Sequence, residues 1–188
     1  VHPEPNDDEI AALAALYQQK RRHLGNTLNV LLRSRLFFSN RAYRSRIKSP
    51  VDLAVCLVRS LDASVASLPL ANAAGRMGQE LLEPPTVEGW HEERAWVSSA
   101  TWLLRGNFAA RLFGGGFKLS PSVDELFKNH ATPAQRADLG LRLLLDDAIP
   151  DSARERILAF AKGPAGKGAG GVAALLHAIQ CLPEGQML

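Results

Sequence analysis

Four stretches of this 188-residue chain set a side-chain oxygen three residues ahead of an acid or amide, and no stretch alternates apolar and polar residues as a strand would. An oxygen at a helix N-cap accepts from the backbone N–H three residues on. An acid or amide at that third position reaches back to the N–H of the cap, so two donors that a helix start leaves unpaired are satisfied together. Asn6 with Glu9, Ser49 with Asp52, Ser122 with Glu125 and Thr132 with Gln135 fit this rule. Pro50 and Pro133 follow two of the caps directly, where a missing N–H costs nothing. These signals predict helices from Asn6 to about Arg22 and from Ser49 to about Leu61, with two more opening after Ser122 and Thr132.

Apolar residues recurring at helical spacing predict further helices over Thr27 to Leu36, Leu70 to Gly78, Ser99 to Leu112, Asp151 to Lys162 and Val172 to Cys181. No Asn-Gly or Asp-Gly turn joins β-branched runs. The expected fold is therefore all-α, an array of about nine short helices. Hydrophobic residues make up 46% and charged residues 22%, proportions that allow a buried core without a disulfide or metal to hold it. No run approaches the roughly 20 apolar residues of a membrane span, so no membrane insertion is expected. Residues 1–10 lack the basic-then-apolar order of a secretory signal. Because the chain starts at Val1 and not at a methionine, that lack carries little weight for location.

Glycine-rich punctuation suggests the organisation. Gly114, Gly115 and Gly116 would end a helical domain over residues 1–113 and begin a helical continuation over 117–162. Residues 163–171 hold five glycines and one proline and are expected to form a flexible linker before a terminal helix and tail at 172–188. Val172, Leu175, Leu176 and Ile179 recur at i, i+3, i+4 and i+7 and would dock that helix.

Several segments taken together resemble the bacterial family known as domain of unknown function 1800. They are Leu31 to Phe38, Ile47 to Asp52, Val58 to Leu61, Met77 to Leu82, Pro84 to Trp90, Trp96, Leu104 to Ala109, and Leu182 to Met187. The proline-rich turn ending in Gly89-Trp90 is the most specific of them. The resemblance implies that residues 1–113 correspond to the family's C-terminal region and that the chain is the C-terminal part of a longer, exported or periplasmic protein. It implies an upstream helical region as a partner, and it supplies no catalytic residues.

Charge is distributed unevenly: residues 1–60 hold ten Lys and Arg against five Asp and Glu, while residues 61–188 hold twelve against fourteen. Between Glu9 and Asp52 there is no carboxylate and there are nine cations. Arg41, Arg44, Arg46 and Lys48 surround Tyr43 and form a candidate polyanion site, since phosphate neutralisation supplies much of nucleic-acid affinity. No recognition-helix motif accompanies them, which argues against nucleic acid; a solvated face or contact with another region accounts for the same pattern. The loop from Pro84 to Trp96 offers Trp90, His91, Glu92 and Trp96 as a candidate ligand site, in which indole faces would stack on sugar rings and His91 and Glu92 would hydrogen-bond them. The competing reading is that the tryptophans fill the core.

Other chemistries lack the residues they need. The histidines stand singly, with no His-x-x-x-His or Cys-x-x-Cys, so no metal site is expected. Gly166-Lys167 lacks both the glycine spacing and the hydroxyl residue of a phosphate loop. There is no nucleophile elbow, and Cys56 and Cys181 lie in apolar helical stretches as small hydrophobes. No cofactor is expected. The sequence points to a structural or interaction module that meets an upstream region or a partner protein. A polysaccharide-binding or polysaccharide-processing module built on Trp90 to Trp96 is the first alternative, and polyanion binding through Arg41 to Lys48 the second.

Overall fold

The computed structural model describes residues 4–90 and 93–188, and among them it holds ten α-helices and no strand. They are α1 Asp7–Gln19, α2 Leu24–Leu32, α3 Pro50–Ser60, α4 Ser67–Arg76, α5 Ser99–Phe113, α6 Val123–Phe127, α7 Pro133–Leu145, α8 Asp151–Lys162, α9 Pro164–Lys167 and α10 Gly171–Gln180. All four expected capping boxes form with both of their bonds. At α3, Ser49 Oγ accepts from Asp52 N at 3.1 Å and Asp52 Oδ2 accepts from Ser49 N at 3.1 Å. Two further caps explain helix starts that acids and amides do not mark. The backbone N–H of Asn26 donates to His23 Nδ1 at 3.2 Å, so α2 opens three residues earlier than its periodicity suggests. Ser98 and Thr101 form a fifth box ahead of α5, with a hydroxyl in place of the acid.

The chain divides into two compact units, Val1–Ile47 with Met187–Leu188, and Lys48–Gln186. Both glycine runs therefore lie inside the larger unit, where the sequence placed boundaries. In that unit α10 packs against α5, α7, α8 and α9, and Leu175, Leu176 and Ile179 are buried completely or nearly so. Close approach of α7 depends on Gly140, because a Cβ there would lie 2.8 Å from Ile179 Cδ1 and 3.2 Å from Leu176 Cδ2.

The stretch at 163–171, expected to be a flexible linker, carries the short helix α9 and runs directly into α10. Its glycines serve close backbone approach: a Cβ on the buried Gly166 would sit 2.6 Å from Ala161 Cα, and one on Gly171 would collide with the Gly166 carbonyl. Gly170 adopts φ 76° ahead of α10, a backbone that glycine takes without a steric penalty.

In the smaller unit α1 and α2 pack on each other, and Ile47 pairs with Met187 across a single antiparallel bridge. Thr27 is the one residue buried among the described residues of this unit. None of the described helices is long and apolar enough to cross a membrane.

The α7–α10 contact makes Gly140→Ala a probe of the core. Forcing a methyl into a filled space costs typically about 1–3 kcal/mol, against roughly 0.5–1 kcal/mol that alanine gains over glycine inside a helix; with Ile179 and Leu176 fully buried the cost wins, and urea denaturation should show a lowered midpoint with an unchanged slope.

Candidate functional site

Each of the residues singled out for polyanion binding meets a partner within its own unit. Arg41 Nη1 donates to Glu9 Oε1 at 2.8 Å in an exposed pair. The Arg44 guanidinium lies 5.0 Å from the centre of the Tyr43 ring. Arg46 exchanges backbone hydrogen bonds with Leu188, its carbonyl accepting at 2.7 Å. Lys48 is buried in the larger unit, and its Nζ donates to the Gly185 carbonyl at 3.0 Å. Its ammonium serves the interior and not the surface.

In the proline-rich loop, Gly89 closes a tight turn at φ 103°, and its carbonyl accepts from Thr86 Oγ1 at 3.2 Å. Trp90 after it is half-buried, and His91 and Glu92 lie outside the described residues. Trp96 ends a 3₁₀ turn, Glu93–Trp96, and is 9% exposed, with its carbonyl accepting from Thr101 Oγ1 at 3.1 Å. Trp96 thus packs inward, while Trp102 on α5 is substantially exposed. Cys56 and Cys181 are free, half-buried thiols. Burial pushes the Cys181 thiol up, away from a reactive thiolate.

A polar constellation that composition and spacing did not single out occupies the interior of the larger unit. Arg105 is 2% exposed. Its Nε donates to Gln186 Oε1 at 2.7 Å and its Nη2 to the Lys48 carbonyl at 2.8 Å. Gln186 Nε2 in turn donates to the Gln180 carbonyl at 2.8 Å, and Gln180 Nε2 to the Gly185 carbonyl at 2.7 Å. The Lys48 backbone N–H closes the ring of contacts on the Gln186 carbonyl at 2.8 Å. Burial lowers the Arg105 pKa to about 10, partly offset by the charge of Asp52. The arginine stays protonated at neutral pH and gives up its hydration for amide and carbonyl oxygens.

The signal for this constellation was present in the sequence. Arg105, Phe108, Ala109 and Leu112 recur at i, i+3, i+4 and i+7, so a cation stands on the buried stripe of α5. A charge in that position needs interior acceptors.

The constellation ties segments of the larger unit that are distant in the chain. It joins the entry to α3, the middle of α5 and the 3₁₀ turn Pro183–Gln186. Arg105→Ala should destabilise the chain by about 3 kcal/mol, because it leaves two buried acceptors unpaired and a cavity behind. In a double-mutant cycle by urea denaturation, Arg105→Ala with Gln186→Ala should cost less than the sum of the two, with a coupling of at least about 0.5 kcal/mol.

No curated protein and no solved structure matches the chain. A family model does match, over residues 1–187. That span does not bear out the expectation that the chain is the C-terminal part of a family member. On this match, the chain belongs to the family described as protein of unknown function (DUF1800).

Proposed function

We propose that the chain is an interaction module whose smaller unit receives an acidic, amphipathic segment of a partner protein. The observation that carries this reading is the apolar surface left uncovered on α1 and α2. Ile10, Leu13 and Tyr17 recur at helical spacing on α1, and Leu24, Leu28 and Leu32 on α2; all six are exposed, Ile10 at 52% and Leu24 at 64%. Phe37 and Phe38 stack edge to face at 5.1 Å beside them in the chain, and Phe38 is 76% exposed. Single exposed apolar residues are ordinary, but a concentration of them in a unit with almost no interior marks a surface that something covers.

Charge selects the partner. Residues 10–47 have eight cations and no carboxylate, so a partner helix presenting Leu-like anchors among acids would match both the apolar rows and the charge of the unit that carries them. A second copy of the same surface would set cations against cations. A shallow hollow of about 400 Å³ between α1 and α2, lined by Leu13, Leu16, Val30 and Leu36 together with Asp8 and Glu9, suits one apolar anchoring side chain, with the partner's acids lying toward the cations beyond it.

The test is selection of helical peptides from a displayed library on the intact chain. The winners should carry apolar residues at i, i+4 spacing among acids. Their affinity should fall with salt, and the double variant Leu24→Ser with Leu28→Ser should weaken them at least about tenfold, since each buried leucine contributes about 1.5–3 kcal/mol. Failure to enrich such peptides, or binding that the double variant leaves intact, would overturn the proposal.

A further inference from the structure

A cleft in the larger unit, remote in sequence from the α1–α2 surface, has the makings of a small-molecule site. It lies between α4, α5 and the turn at 116–117 and encloses about 630 Å³, within the size range of ligand pockets. Its floor is apolar and buried, made by Met77, Phe108 and Phe117, the two rings meeting edge to face at 5.5 Å. Arg76 and Arg111 line it together with the amides of Asn72 and Asn107, and no lining residue is acidic.

Both guanidiniums lack a carboxylate partner among the described residues. Arg111 instead lies over the Phe117 ring, 5.5 Å from its centre. Each arginine also sits in the last turn of its helix, where the helix dipole favours a cation. That position accounts for a positive residue at each place. It does not account for two of them lining one cleft together with Phe108, Phe117 and two asparagines and with no acidic residue in the lining.

We propose that this cleft binds an organic anion with a flat apolar body and one acidic head group, carboxylate, sulfonate or phosphate. The head would take charge-assisted hydrogen bonds from Arg76 and Arg111, with Asn72 and Asn107 fixing its orientation. The body would lie against Met77 and Phe108, beside the Phe117 ring that Arg111 covers. Arg111, held over Phe117, lines the same cleft as Arg76 and would meet the head group there.

Isothermal titration of the intact chain with naphthalene-2-sulfonate tests this, with inorganic phosphate and 2-naphthalenemethanol as probes of head and body alone. One-to-one saturable binding of the sulfonate is expected, with each half-probe weaker by at least about tenfold. Arg76→Gln and Arg111→Gln should each weaken the sulfonate at least about tenfold, the usual scale for losing a charged hydrogen bond, while their thermal melts match the parent. The Leu24→Ser, Leu28→Ser double variant should bind the sulfonate as the parent does. No saturable binding, unchanged binding in both arginine variants, loss of binding in the leucine variant, or phosphate binding as tightly as the sulfonate would each overturn the assignment.

Discussion

A guanidinium taken out of water must find acceptors, and the larger unit is arranged so that Arg105 finds them in segments far apart in the chain. One acceptor is the Lys48 carbonyl just before α3, the other the side chain of Gln186 past the end of α10. Gly185 can stand next to that residue only because it has no Cβ, which would collide with the Gln180 carbonyl. Its own carbonyl takes both the Lys48 ammonium and the Gln180 amide. Apolar contact alone would let α5 and α10 slide or rotate at small cost, whereas a buried cation with directional donors tolerates one register. The surrounding leucines supply burial energy, and the arginine selects among the arrangements they permit.

The two units divide structural roles along the same line. The larger one has an interior built from α3, α5, α7, α8 and α10. The smaller one has two packed helices and almost nothing inside. An isolated pair of helices of nine and thirteen residues is marginal in water. Its apolar rows then have more to gain from a partner than those of a self-contained domain, which is why affinity and order should rise together at α1 and α2. The cleft at Arg76 and Arg111 belongs to the unit that is already firm, and a small anion needs such a preformed wall.

Most of the helices were legible because caps and heptad-like spacing are local features. Asn6, Ser49, Ser122 and Thr132 announce their helices through residues three positions away, and the structure makes each of those bonds. His23 and Thr101 do the same work with less familiar groups, and only the folded geometry reveals them. The run at 163–171 was misleading for a physical reason: glycine is required both where a backbone must bend freely and where two backbones must nearly touch. Composition cannot tell these apart, and Gly166 against Ala161 is the second case. Lys48 was likewise grouped with its basic neighbours, although a partner 137 positions away draws it inside. No spacing rule reaches that far. The loop ending at Trp96 was recognisable as distinctive, but whether an indole faces solvent or core is decided by what folds around it.

The stitching of residues 180–186 into the interior bears on how the larger unit is completed during synthesis. A ribosome delivers α3 and α5 long before Gln180, Gly185 and Gln186 exist. Until those residues emerge, Arg105 has no amide to receive its Nε proton, and α5 lacks its largest neighbour. Until then Arg105 keeps its hydration, and the larger unit can complete this network only once residues 180–186 have been made.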